Sequence, residues 1–160
     1  MTASQLQQEL KKREPFESLE HAAHLSLLRT ADQLQLSFTR LFREHGLTPA
    51  QYNILRTLRG EGKPLPSLDI ASRMIQTVPG ITGLIDRLEK VSLVERKRCE
   101  KDRRVVYVSI TDQGKQLVGT LDEPVNKLHH QLLSHLSQDE LQTFIHLSEK
   151  IRGPLVGKDS

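Results

Sequence analysis

The sequence predicts a mainly α-helical fold with one small β-hairpin and six main helices. Three observations carry that prediction. Apolar residues recur at spacings of three or four across nearly the whole chain. Only residues 93–110 have the β-branched content and alternation of strands. Helix start and stop signals, chiefly Thr48-Pro49-Ala50-Gln51, Ser137-Gln138-Asp139-Glu140 and Gly46, fall at the ends of the apolar stripes.

Residues 1–15 are polar and lack a strong period, which suits a frayed or partly helical arm. From Phe16 to His45, Leu25, Leu28, Ala31, Leu34, Phe38 and Leu41 lay an apolar stripe along one long helix that Gly46 stops. Thr48 is a good N-cap for the second helix, Pro49 suits its first position, and Gln51 can close a capping box. Tyr52, Ile54, Leu55 and Leu58 supply its buried side. Gly60, Gly62, Pro64 and Pro66 then force a turn. Ser67 is expected to cap a short third helix with Leu68, Ile70, Ala71, Met74 and Ile75 as its apolar positions. After Thr77-Val78-Pro79-Gly80, a fourth helix turns Ile81, Leu84, Ile85 and Leu88 inward. It leaves Thr82, Gly83, Asp86, Arg87 and Lys90 largely outside.

Two helices joined by so short a turn make a helix-turn-helix pattern. The strands Leu93–Cys99 and Arg103–Ile110 follow, joined through Glu100-Lys101-Asp102, so the hairpin projects a basic tip: a wing. Thr111 caps a fifth helix carrying Leu117, Leu121, Leu128, Leu132 and Leu136. Its period resumes in phase after Pro124, so a kink is expected there rather than an end. The last helix carries Leu141, Phe144, Leu147, Ile151 and Leu155, and Gly153-Pro154 weakens its end.

The totals exclude several classes. The 160 residues suit one compact domain or a small domain with dimerisation arms. There is no apolar run near the roughly 20 residues that span a bilayer, and the N-terminal MTASQLQQELKKREPF does not read as a signal peptide. With one cysteine, Cys99, no internal disulfide can form, and a reducing cytoplasm is the expected compartment. No nucleophile–base–orienter set, phosphate-cradling Gly-rich loop or paired acids stand out, so no enzyme is expected.

The net charge of +3 decides little; its distribution decides more. Arg96, Lys97, Arg98, Lys101, Arg103 and Arg104 crowd into nine positions with only Glu100 and Asp102 as acids. Such a cluster alone would suit a solvated hairpin tip. Beside a helix-turn-helix it suits phosphate. The DNA major groove, about 12 Å wide, admits one helix, and residues 77–87 have the small, polar outer face it requires. Gly80 and Gly83 permit close approach, although close packing within the protein would also explain them. Thr82 can touch a base edge or a thymine methyl, and Arg87 can reach guanine or phosphate. Arg73, Gln76, Thr77 and Pro79 complete the expected surface around the turn. In the wing, Arg104 is expected to enter a narrow minor groove, where the potential is most negative. A bidentate pair with Asp102 would orient it, and Arg103 would contact phosphate or share the role. Lys101 adds charge at the tip.

The run ITGLIDRLEKVSLVERKRCEKDRRVVYVSITDQGKQL resembles the MarR (multiple antibiotic resistance regulator) family of winged helix-turn-helix regulators. The Asp102-Arg103-Arg104 tip, Thr111-Asp112-Gln113-Gly114 after the second strand, and GLTPAQYNILRTLR before the helix-turn-helix match its pattern, and the likeness covers roughly residues 25–155. It implies a single domain over 1–160, with residues 47–110 as a DNA-binding lobe and 16–45 and 112–156 as a helical dimerisation region. It also implies a homodimer on a pseudo-palindromic operator of double-stranded DNA, with recognition helices about 34 Å apart. Members often carry a glycine before the leucine that opens the first wing strand; Ser92 stands there, which puts the shape of that helix end in question.

Many relatives respond to phenolic or other aromatic acids. The resemblance therefore implies a small aromatic effector in a cleft lined by the first, second and fifth helices. His45, Tyr52 and Arg56 are its polar candidates. Cys99 beside Lys97, Arg98 and Lys101 leaves a redox-responsive alternative, and His21 and His24, three apart, a metal-responsive one. Neither is preferred, because the histidines lack an accompanying acid- or cysteine-rich set; no cofactor and no metal are expected. A winged helix used as a protein-interaction module is the remaining alternative.

Overall fold

The computed structural model describes residues 5–156. In chain order they form α1 Gln5–Glu9, α2 Leu19–Glu44, α3 Pro49–Glu61, β1 Leu65–Pro66, α4 Ser67–Ser72, α5 Ile81–Lys90, β2 Val94–Arg98, β3 Val106–Ile110, α6 Asp112–Leu133 and α7 Gln138–Arg152. The fold is mainly α with one small antiparallel sheet, ordered β1-β3-β2. The chain groups into two compact units, 1–122 and 123–160.

In the first unit, local sequence rules set most helix ends. Ser18 caps α2 by accepting from the His21 amide at 3.1 Å, so the helix begins at Leu19 rather than Phe16. Its other end is a Schellman turn: Leu47 N–H reaches Phe42 O at 2.9 Å and Gly46 N–H reaches Arg43 O at 3.0 Å. That turn needs a left-handed residue, and Gly46 supplies it at φ 72°. Helix α3 opens with the expected capping box: the Thr48 hydroxyl accepts from Gln51 N and the Gln51 side chain accepts from Thr48 N. Its apolar side buries Tyr52, Ile54, Leu55 and Leu58. Phe42 stacks on Tyr52 at 4.2 Å between centroids, and Ile70, Ile85, Leu88, Val108, Val118 and Leu121 complete the core. Arg59 and Asp122 add a bidentate pair at 2.7 and 2.9 Å. The Arg59 hydrogen bonds hold the Asp122 carboxyl below its usual range.

Three expectations are corrected here. The hairpin is a three-stranded sheet, because Leu65 and Pro66 pair with Val108 and Tyr107. Ser67 is not a cap: extended Pro66 fills that place, without a side-chain bond, and the chain passes from β1 straight into α4. Leu68 and Ile75 are exposed, not core. Helix α4 spans six residues, and at about 100° per residue burying Ile70 turns Leu68 outward. Ile75 lies beyond the helix, whose C-cap is Arg73.

At the end of α5 the Schellman geometry recurs with Ser92 in the glycine position, at φ 60°. Leu93 N–H bonds Leu88 O at 3.0 Å and Ser92 N–H bonds Glu89 O at 2.9 Å. A serine there costs on the order of 1 kcal/mol relative to glycine, yet the turn keeps its shape. The Thr111 hydroxyl donates to Ser92 O at 2.7 Å and accepts from Gly114 N at 3.0 Å, tying this turn to the start of α6.

In the second unit, α6 passes through Pro124 without ending and runs on to Leu133. The expected Ser137–Glu140 capping box opens α7, which buries no residue. Among the described residues no helix is long and apolar enough to cross a membrane.

Candidate nucleic-acid interface

Helix α5 is anchored on one side and open on the other. Leu84, Ile85 and Leu88 are buried, while Thr82, Arg87 and Lys90 are exposed. Gly80 is its N-cap in the left-handed region, φ 77°, with no side-chain cap. Its first-turn amides therefore meet no capping side chain and face outward as donors. A side chain at Gly80 would meet nothing within 4 Å, and at Gly83 only Arg87 Nη2 at 3.8 Å. Internal packing therefore does not explain either glycine; the left-handed backbone calls for Gly80, and Gly83 leaves the outer face low. Arg87 donates from Nε to Gly83 O at 3.1 Å, along that face. Gln76, Thr77 and Pro79 are exposed in the turn before the helix, and Arg73 is paired with Glu61 at 2.7 Å.

The wing tip is a tight turn. Asp102 O accepts from Val105 N at 3.0 Å, and Cys99 N donates to Val105 O at 2.9 Å. Asp102 Oδ1 accepts from the Arg104 backbone amide at 3.0 Å. The expected bidentate pair between Asp102 and an arginine fork is absent among the described residues. The carboxylate instead closes an Asx turn, because the nearest donor is the amide two residues on. Lys101, Arg103 and Arg104 are exposed at this tip, with no ion pair among the described residues.

Arg96 does not belong to that free cluster. Its guanidinium meets Asp86 at 2.5 Å, Glu89 at 3.3 Å and Thr82 O at 3.2 Å, and its backbone N–H donates to Glu89 Oε1 at 3.1 Å. It is a clamp between the outer face of α5 and β2, with its side chain 24% exposed. It fixes helix and wing relative to each other, and Glu89 also satisfies the amide that β2 turns away from β3. Sequence reasoning missed this role by counting Arg96 with its neighbours. Asp86 and Glu89, three apart on one helix face just before the strand, were the available signal.

Helix and wing meet around a cleft of about 590 Å³ lined by Pro66, Leu68, Thr82, Arg96, Arg98 and Arg104, among others. The opposite face of the sheet bounds a broader one of about 880 Å³, where half-buried Cys99 lies with Lys97 and Tyr107. The expected effector residues are not gathered into a polar pocket. Tyr52 is packed under Phe42, and burial pushes its phenol pKa up against the opposing field of Arg56. His45 Nδ1 lies 3.1 Å from Leu41 O, and Arg56 is exposed. His21 is edge-on to Phe16 at 5.7 Å. No three His, Cys, Asp or Glu residues among those described converge as metal ligands.

Known proteins resemble this chain. The MarR family model matches residues 47–106, from the start of α3 to the return strand of the wing. A transcriptional repressor of Bacillus subtilis, MdtR, is 32% identical over 139 residues, covering 78% of this chain and 89% of the relative. The homoprotocatechuate degradative operon repressor of Escherichia coli is 27% identical over 126 residues, covering 79% of this chain and 84% of its own. The crystal structure of a MarR transcription factor from Planctomyces limnophilus is 42% identical, covers 84% of this chain and 98% of that one, and superposes with a TM-score of 0.66. With an open helix clamped to a basic wing and this likeness over most of its length, the chain belongs to the MarR family of DNA-binding transcriptional regulators.

Proposed function

We propose that the chain acts as a cytoplasmic homodimer that represses transcription from a pseudo-palindromic operator, by binding alone and without catalysis. The observation that carries this reading is the pairing of an open α5 N-terminus with an unpaired arginine tip, held at fixed geometry by Arg96. Residues 77–87 enter the major groove, with Gly80, Thr82, Gly83 and Arg87 nearest the bases. Lys101, Arg103 and Arg104 reach phosphate and the minor groove, and Asp102 shapes their turn. Arg73, Gln76, Thr77 and Pro79 flank the helix. Residues 47–110 are the reading lobe, and 16–45 with 112–156 hold two copies together. Exposed Leu27, Leu28 and Leu36 on α2 and Phe144, Ile145, Leu147 and Ile151 on α7 support the last point.

A small aromatic acid is the preferred effector, supported by the E. coli relative's link to a homoprotocatechuate degradative operon. Of the residues expected to meet it, His45 and Arg56 are the accessible ones, whereas Tyr52 is packed under Phe42. By binding one dimer geometry better than the other, the effector lowers operator affinity. Fluorescence anisotropy on an enriched operator, at several salt concentrations, tests the reading. Arg104→Ala should weaken binding at least tenfold and reduce the salt slope by about one. Unchanged affinity would remove Arg104 from the interface.

A further inference from the structure

Leu68 and Ile75 are 80% and 73% exposed, although their neighbour Ile70 is fully buried. Both lie in the helix-turn-helix, the region that should be most polar if it met only water. Leu68 lines the same cleft as Thr82, Arg98 and Arg104, so it shares a surface with the wing arginines. Ile75 lies in the turn leading to α5, between exposed Arg73 and Gln76. A large apolar group on a basic, phosphate-complementary cleft, as Leu68 is, and another exposed in the turn before α5, as Ile75 is, fit one partner chemistry well: the apolar edge of a base.

We propose that Leu68 and Ile75 are specificity-determining residues that contact thymine 5-methyl groups in the major groove, with the Thr82 methyl as a third contact. Among the bases only thymine presents a methyl there. The alternative polar readers are few. The first turn of α5 has no charged residue, and Arg96 is held by Asp86 and Glu89. Arg98 and Arg104 beside Leu68 favour a polyanion over an apolar protein surface. The inference rests on the DNA-binding reading above and adds the base class that is read.

The test needs no prior operator. The full-length protein selects sites from a random duplex library, and the enriched site is resynthesised with each thymine replaced in turn by deoxyuridine. That change removes only the methyl. At one or more thymines per half-site, its loss should weaken binding about three- to fivefold, the worth of one apolar carbon. Ile75→Ala or Leu68→Ala should weaken binding to the thymine duplex and abolish its preference over the deoxyuridine duplex at the matching position. Both side chains are exposed, so the melting temperature should hold. Equal wild-type affinity for all thymine and deoxyuridine duplexes overturns the proposal while leaving DNA binding intact. Full discrimination retained by both variants overturns it too. A library that yields no enriched sequence defeats the sequence-specific reading itself, and this inference with it.

Discussion

Helices α3 and α7 begin with the same device and carry similar apolar stripes. In α3 the Thr48 hydroxyl and the Gln51 side chain exchange bonds with each other's amides; in α7, Ser137 and Glu140 do the same. The two helices have 13 and 15 residues, so length does not separate them. Yet α3 buries four residues and α7 none, leaving Phe144, Ile145, Leu147 and Ile151 about half exposed at 48–55%. A stripe says that a face is to be covered. It does not say whether the same chain covers it. Short helices gain most of their stability from such covering, so α3 is a fixed part of the lobe, whereas α7 buries none of its residues against the described chain.

The strongest way to break the comparison is to remove equal volume from each helix. Leu55 is fully buried, and Leu55→Ala should cost roughly 2–5 kcal/mol in urea unfolding, independent of protein concentration. Ile151→Ala, with the same kind of deletion on α7, should cost little at low concentration and more as concentration rises, because its loss falls on association. Equal, concentration-independent costs would mean that α7 packs as α3 does.

Much of this was readable from local chemistry. Thr48 to Gln51 and Ser137 to Glu140 are three residues apart, and a capping box needs nothing further away. Gly46 ended α2 as its type requires, and the alternation of Val106, Val108 and Ile110 put Val108 in the core. What was missed depends on distant partners or on short pieces. Strand β1 has two residues, one a proline, and exists only because β3 comes back to pair with it. Leu68 and Ile75 sit at helical spacing, but the helix is short and ends before Ile75. At the candidate site, the exposure of the outer face of α5 and of the wing tip was legible, but the contacts of Arg96 and Asp102 were not. A basic residue in a charge run carries no mark of the acids it will meet after folding. An aspartate two residues from both an amide and a guanidinium satisfies whichever the turn brings closer.

A smaller change sharpens the same contrast. A charge on the exposed face of α7, Phe144→Glu, leaves the folded lobe untouched, because that side chain is 48% exposed. It should weaken self-association at least tenfold in sedimentation equilibrium, since a buried unpaired carboxylate opposes the contact. The far-ultraviolet circular dichroism of the lobe should persist. A dimer of unchanged strength would free α7 from the interface and leave α2 to explain assembly.

The smallest effect concerns the two caps themselves. Gln51 does not titrate, whereas Glu140 does. The Ser137 backbone N–H, donating at 2.8 Å, holds the Glu140 carboxyl below its ordinary value, with the Ser137 hydroxyl adding a lesser share. A carboxyl depressed in the folded state stabilises it above the unfolded value and loses that contribution as pH falls through the folded one. The α7 cap should therefore hold near neutrality and weaken on acidification below about pH 4.5, the ordinary value, while the α3 cap holds throughout. Melting temperatures at pH 6 and pH 3.5 should fall further for the wild type than for Glu140→Gln, which keeps an acceptor without the proton equilibrium. Because Glu140 is fully exposed, high salt should shrink the difference. The reciprocal Gln51→Glu should install the same acid sensitivity in α3. If Glu140→Gln and the wild type lose equal stability, the Ser137–Glu140 bond contributes nothing to folding, and the two helices differ in their covering alone.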